Sequence, residues 1–472
     1  MINKFLSIVF VLGIVSSLNS ICTLKAEGPK VLSFKSYMDI VKNHHPVVYQ
    51  ATYLPETGDM AIRAARGAFD PVLMAQYDAK QFQNTPYYSI LESGLVIPTR
   101  AGIKLHGGYE QMDGTYLNPE NNVPPDGLVY AGVTLPIGRD LLIDRRRLEL
   151  QKAKIFAQAQ LWEQELQLNE LFLDAGTAYW EWYVSYHIMK IYEEAYKLAD
   201  ERRRFVIRSF ELGDLPAIDT TEASIQVQNL EVNLRESQIS FYNAGFFLET
   251  YLWLDGNIHL GLDSLSIPEE QANFTNLPLD PNLKMLQASM LRKHPQMEQM
   301  RLELQKLNVD IRFLKNRLLP QMDLKYNILN EQIGINPLAG ANPNNFKFGV
   351  KFSMPVLLRR ERGELRQTTI ISKQVALDSS LLFATLQYHS NAKMNEWENT
   401  YELNETYRNV VANHLVMLEG ERAKFVAGES SIFMVNTREV AYINAQIKWI
   451  SLQFQNQRAA LQTYFALGTR IE

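Results

Sequence analysis

Apolar residues recur along this chain with two periods. Between residues 140 and 213 they return every seven positions, at Leu161, Leu168, Ala175, Trp182, Met189 and Tyr196. A companion series, Leu171, Ala178, Ser185, Tyr192 and Ala199, runs three positions on. Heptad spacing is the signature of helices that pack side by side along a seam. The stretch has no proline and, before Gly213, one glycine, Gly176. It reads as one helix of about 110 Å at 1.5 Å per residue, or as two shorter helices broken near Gly176. Gly213-Asp214-Leu215-Pro216 closes it, the proline can open the next helix, and Asp219 and Thr220 can also serve as N-caps. Glycine suits a left-handed C-terminal cap, and a short polar side chain suits an N-cap. Gly428-Glu429-Ser430-Ser431 marks a second such turn.

The other period is two. Phe346, Phe348, Val350, Phe352 and Met354 alternate with Lys347, Gly349, Lys351 and Ser353. Met322, Leu324, Tyr326 and Ile328 alternate with Asp323, Lys325 and Asn327, and Leu73, Ala75, Tyr77 and Ala79 with Met74, Gln76, Asp78 and Lys80. Such strands lie between two media. The apolar face meets a core in a soluble sandwich, or lipid in an outer-membrane barrel. In a barrel the polar positions Asp323, Lys325, Lys347 and Lys351 face the water of the lumen.

The two patterns occur twice in the same order. His45-Pro46, Pro71 and Tyr77 recur 249 residues later as His294-Pro295, Pro320 and Tyr326. Leu135-Pro136 matches Met354-Pro355, Glu181-Trp182 matches Glu396-Trp397, and Thr250-Tyr251 matches Thr463-Tyr464. The chain divides into a first repeat over 31–265, a proline-rich link over 266–280 and a second repeat over 281–470. Each repeat is a helix, strands and a long helical hairpin, an α+β plan. The first repeat carries about 30 extra residues between its markers. They include Ile103, Leu105 and Tyr109 alternating with Lys104, His106 and Glu110, and a turn-rich stretch from Asn118 to Gly127. They are expected, near residues 87–112, as an added hairpin on the outside or as a longer loop.

The terminus narrows the choice of medium. Lys4 precedes an apolar run from Phe5 to Val15, followed by Ser16, Ser17 and Ser20. That is the pattern of a secretory signal peptide, here 1–26, and it is too short to span a membrane. Cys22 raises the question of lipidation, although Ile21 is larger than the residue that usually precedes a lipidated cysteine. After residue 30 no apolar run reaches about 18 residues. An exported chain with two-faced strands and no spanning helix favours the barrel. Four main strands cannot close one, since single-chain barrels begin at eight, so several copies must share it.

Composition excludes other classes. Hydrophobic residues make up 46% and charged residues 21% of 472, with net charge −5, which is neither a disordered chain nor a bulk basic surface for nucleic acid. One cysteine permits no intramolecular disulfide. There is no catalytic constellation, no phosphate loop and no cofactor motif. His44-His45 reads as a helix-surface pair rather than a metal site, and Tyr179-Trp180-Glu181-Trp182-Tyr183 as packing. Arg145-Arg146-Arg147 reads as a solvated face or as an interfacial anchor or pore charge.

With these features in place, the chain resembles the TolC-like outer-membrane efflux protein family over 31–470. The resemblance rests on the duplicated plan and the helix ends Gly67-Ala68-Phe69-Asp70-Pro71 and Arg317-Leu318-Leu319-Pro320. It rests also on the junctions Gly132-Val133-Thr134-Leu135-Pro136-Ile137-Gly138-Arg139 and Gly349-Val350-Lys351-Phe352-Ser353-Met354-Pro355, and on the two glycine turns. It implies a homotrimer in the outer membrane: a 12-stranded β-barrel, four strands per copy, continued by a periplasmic α-helical barrel. A mixed region would include Asn257–Leu262. It also implies a passive exit duct for efflux or type I secretion, joined to a periplasmic adaptor and, through it, to an inner-membrane transporter. The family's acidic gate transfers only in part. Asp219 takes one position, while Met434 and Thr437 stand where acidic residues are expected. Asp214 and Glu429 lie nearby, and the three carboxylates would give the tip a negative field, unless they serve only in turns and caps. A secreted coiled-coil structural or adhesive protein with a small β-sandwich is the competing reading. The cargo is not legible.

Overall fold

The computed structural model describes residues 30–263, 266–270, 274–331 and 342–469. The expected signal peptide, Cys22 and the last residues of the chain lie outside the described residues.

The elements run β1 (Lys30–Leu32), α1 (Phe34–His44), α2 (Pro46–Gly67), β2 (Val72–Phe82), β3 (Thr85–Pro98), β4 (Lys104–Asp113), β5 (Leu128–Gly138), α3 (Arg145–Glu211) and α4 (Ala217–Glu249). The short strands β6 (Trp253–Leu254), β7 (Ile258–His259) and β8 (Ser266–Pro268) follow. Then come α5 (Pro281–Arg292), α6 (Pro295–Asn316), β9 (Gln321–Asn330), β10 (Phe346–Ser353), α7 (Arg359–Val426) and α8 (Ile432–Ala466).

The heptad stretch is one unbroken helix of 67 residues, running through Gly176 without interruption, and α7 has 68. The early helix of each half is divided at a His-Pro pair. Pro46 and Pro295 open α2 and α6, because proline has the φ of a first helical turn and no N–H to satisfy there.

The chain forms two compact units. One holds residues up to His45, Asp174–Leu277 and Asn399–Arg458. In it the seam of α3 is buried at Ala175, Ala178, Trp182 and Ala199. Ala195, Ala199, Val227, Leu230 and Ile443 pack together from α3, α4 and α8. The aromatic run packs as expected: Tyr179, Trp182 and Tyr183 are buried, and the Tyr179 hydroxyl donates to the Leu32 carbonyl at 2.9 Å. Two small sheets complete this unit. β1 pairs with β8 in parallel, and β6 with β7 antiparallel, the latter including part of the expected mixed region.

The other unit holds Pro46–Leu173, Pro278–Glu398 and the chain from Ala459 onward. Ile143, Leu148 and Ile155 pack on Leu302 and Val309 of α6. A Cβ at Gly58 would stand 2.8 Å from the Ala157 Cα, so α2 and α3 approach closely only because that position has no side chain. This unit also carries a six-stranded antiparallel sheet in the order β10-β9-β5-β4-β3-β2. That order corrects two expectations. The extra segment is neither an outer hairpin nor a loop, since its strands β3 and β4 lie inside the sheet between β2 and β5. The main sheet of the chain therefore has six strands rather than the four expected. The reason is hydrogen bonding: β3 and β4 alternate like their neighbours and satisfy their backbone groups on both sides within the ladder.

Candidate functional site: a two-faced sheet and a helical tip

Strand register sorts the sheet into two faces. Phe348, Tyr326, Val133, Leu105 and Ile97 form one row across five strands. Phe346, Ile328, Ala131, Gly107, Leu95 and Leu73 form the next row on that face, across all six. Phe346, Phe348, Val350, Phe352, Tyr326, Leu105 and Leu73 are exposed. Such a large bare apolar surface needs an apolar medium or partner.

The opposite face is polar. The four residues expected in a lumen, Asp323, Lys325, Lys347 and Lys351, all fall on it. Lys351 stands opposite Asp323, an attractive cross-strand pair worth about 0.2–1 kcal/mol, and Lys325 opposite Thr134. His106 Nε2 and Asn327 Oδ1 lie 2.6 Å apart, bridging β4 and β9 across Gly132 of β5.

Where β5 hands over to α3, Arg147 closes the turn. Its guanidinium donates to Asp144 Oδ1 at 3.0 Å, to the Leu141 carbonyl at 3.0 Å and to the Asp140 carbonyl at 2.5 Å. This corrects the reading of Arg147 as a solvated, anchoring or pore charge: the sequence run hides a residue whose donors are spent on two backbone carbonyls and the Asp144 carboxylate. A polar recess of about 650 Å³ opens at this junction, lined among others by Arg139, Asp140, Asp323 and Arg360. Burial raises the Asp140 carboxyl above its ordinary pKa, opposed by Arg139.

The tip of the helical hairpins belongs to the first unit. Gly213 and Gly428 both have positive φ, +88° and +77°. Each turn closes with the same pair of bonds. Gly213 N donates to Phe210 O and Asp214 N to Ser209 O, and likewise Gly428 N to Phe425 O and Glu429 N to Lys424 O. This is the Schellman arrangement, which satisfies the last carbonyls of a helix. Asp214 and Glu429 thus occupy equivalent positions just past the glycines, both exposed. Asp219 lies in the first turn of α4, where the helix dipole favours a carboxylate. Met434 is half-buried, and Thr437 is exposed with its hydroxyl bonded to the Phe433 carbonyl at 2.9 Å.

Beneath these turns lies a charged network that sequence reasoning did not single out. Glu439 of α8 is only 3% exposed and accepts from Arg202 of α3 at 2.5 Å and from Arg422 of α7 at 3.0 Å. Arg202 also donates to Asn436 Oδ1 at 3.1 Å, and Asn436 Nδ2 donates to Glu222 of α4 at 3.2 Å. The network ties four helices together. Its members are 237 and 17 positions apart along the chain, so no local pattern announces it.

A second missed feature is visible in the exposure of α4. Ile218, Ile225, Val232, Ile239 and Phe246 are spaced by seven and all exposed, while Ala223, Val227, Leu230 and Leu248 of the same helix are buried. Their period is readable in the sequence, but only the structure shows that the partner is not within this chain's described residues.

His44 bonds Asp255 at 2.8 Å, but His45 is buried and stacks on Tyr251. The expectation that both sit on a helix surface is corrected for His45, because Pro46 starts a new helix and turns the ring inward. Among the described residues no group of His, Cys, Asp or Glu is placed to hold a metal ion. No described helix is long and apolar enough to cross a membrane.

The sequence matches no family model and no curated protein. Solved structures do match. The outer membrane channel CmeC of Campylobacter jejuni aligns with TM-score 0.63 at 12% identity, covering 92% of this chain and 85% of that one. CusC aligns at 0.67 and 12%, covering 95% and 96%. The outer membrane protein VceC of Vibrio cholerae aligns at 0.65 and 13%, covering 93% and 97%. The fold is that of the TolC-like outer-membrane channels. The TolC-like plan accounts for the paired helical hairpins and for the strands that precede each of them. Its match extends over nearly the whole chain, so the likeness is not confined to one hairpin or to the sheet.

Proposed function

We propose that this chain is the outer-membrane exit duct of an export assembly, a homotrimer whose strands form a shared barrel and whose helices form a periplasmic tunnel. The observation that carries the reading is the two-faced sheet. Its bare apolar face suits hydrocarbon and its charged face suits a water-filled lumen. A secreted structural protein with a small sandwich would cover that apolar face with a second sheet. The heptad stripe on α4 supports the shared tunnel, since a bare seam of this period fits a helix of a second copy. The TolC-like fold supports a periplasmic adaptor, and an inner-membrane transporter behind it, as partners. The signal pattern of residues 1–26 fits export to that compartment.

Gating belongs to the tip. Asp214, Asp219 and Glu429 give the tunnel mouth a negative field that attracts cations. The Glu439 network holds α3, α4, α7 and α8 in one packing, and adaptor contacts that shift the hairpins open the mouth. Nothing on this chain hydrolyses a nucleotide in this scheme, and the transporter sets the cargo. The test is extraction followed by recording. The protein requires detergent, runs as a trimer and gives unitary conductance steps in planar bilayers. A chain fully soluble without detergent and silent in bilayers contradicts the reading.

A further inference from the structure

We infer that the inserted hairpin β3–β4 is part of the membrane wall, so that each copy brings six strands and three copies close a barrel of eighteen by pairing β2 of one copy with β10 of the next. The inference rests on the trimeric-barrel reading above and departs from the twelve strands that the family resemblance implies.

Four observations carry it. First, β3 and β4 separate β2 from β5 in the sheet, so the ladder runs through them and not around them. Second, the insert continues both faces. Leu95, Ile97 and Leu105 extend the apolar rows of β9 and β10, while Lys104 extends the polar row of Lys325 and Thr134. The bond between His106 and Asn327 joins the insert's polar face to that of β9. A hairpin lying in the aqueous loops outside the membrane has no reason to keep a lipid-type face in register with the main strands.

Third, the lengths fit. A membrane-crossing strand needs about 9–11 residues, and β3 and β4 have 14 and 10. Fourth, the edges are left open. β2 and β10 are fully exposed strands of 11 and 8 residues. Neither contains a proline, and no described strand pairs with their outer sides. Stable proteins blunt such edges or pair them. Every neighbour in the sheet is antiparallel. With an even number of strands β2 and β10 run in opposite directions, so the same β2–β10 contact repeated around a threefold axis continues the antiparallel order and closes.

Width follows from strand count. With strands about 4.8 Å apart and tilted about 40°, eighteen strands enclose a backbone diameter of about 36 Å, against about 24 Å for twelve. The lumen also gains the insert's Glu92, Lys104, His106 and Glu110. The barrel then has the breadth of a porin, wide enough that the helical tunnel and not the barrel limits what passes.

The test places a bimane-labelled cysteine at single positions in the oligomer reconstituted into vesicles, with brominated-chain phosphatidylcholine as the quencher. The unsubstituted chain gives the labelling background. Leu95→Cys, Ile97→Cys and Leu105→Cys in the insert are expected to be quenched to the same degree as Phe348→Cys in β10. Glu110→Cys and Lys347→Cys are expected to resist quenching once labelled and, before labelling, to react with a water-soluble maleimide. Quenching at Phe348 without quenching at any of the three insert positions overturns the inference and leaves the barrel reading intact. No quenching at Phe348 overturns the barrel reading itself. Native mass spectrometry of the same samples must give three copies, and another multiple overturns the count of eighteen.

Discussion

Glu439 shows how much one side chain can hold at the tip. A buried carboxylate between two arginines is tolerated only while both ion pairs persist, and removing one partner of a buried pair costs about 3–5 kcal/mol. Glu439→Ala is therefore expected to lower the midpoint of helix melting followed by circular dichroism, with Glu439→Gln milder because its amide oxygen still accepts from one of the two arginines. A melting curve unchanged by Glu439→Ala would show that the network carries no load. Three histidines make a second prediction at this scale. Burial lowers the pKa of His45, His187 and His294 below the ordinary 6.5, partly offset by a backbone hydrogen bond in each case. The unfolded chain therefore takes up protons first. The stability these neutral rings contribute is complete above about pH 6.5 and is lost as pH falls through that value toward the folded pKa values. Thermal midpoints are expected to fall between pH 7.5 and 5.5, and less so in His294→Gln. Neither residue role was readable beforehand. The pairs flanking Glu439 are distant in sequence, and His45 looked like a surface residue until the turn at Pro46 brought it against Tyr251.

At the scale of elements, the periodic patterns were the most legible part of the chain. Seven-residue spacing from Leu161 to Tyr196 predicted helix but left a break at Gly176 open; the helix runs through it, since one glycine costs only about 1 kcal/mol and the neighbouring Ala175, Ala178 and Tyr179 are buried. The glycine turns were legible too, because Gly213 and Gly428 need the left-handed conformation that L-residues adopt at a cost of about 1–2 kcal/mol. Gly213→Ala and Gly428→Ala are each expected to destabilise the tip by about that amount, read as earlier melting or faster amide exchange near residues 209–214 and 424–429. The inserted strands were misplaced for a physical reason. Alternation identifies a strand, but pairing partners are set by register and closure, which composition does not encode. The α4 stripe makes its own prediction. Replacing Ile225 and Val232 together by Asp removes two aliphatic side chains from the proposed seam and adds two charges, a loss of about 3 kcal/mol or more and on the order of a hundredfold in association. Native mass spectrometry is expected to show dissociated monomers. A variant that stays oligomeric would exclude α4 as the contact.

For the whole molecule, the repeated order of helix, strands and hairpin predicted the plan that the structure shares with CmeC, CusC and VceC, at identities of 12–13%. Fold survives at such identity because it depends on period and register and not on particular side chains. In the proposed duct Met434 and Thr437 stand where the family resemblance implies acids, and the proposed ion preference is assigned to Asp214, Asp219 and Glu429. In the proposed function the chain lines a water-filled pore through a membrane. Planar-bilayer recording of the detergent-extracted oligomer tests it most directly. Unitary conductance steps are expected, with a preference for cations that weakens in Asp219→Ala and Glu429→Ala. Silent bilayers from a correctly assembled oligomer would contradict it.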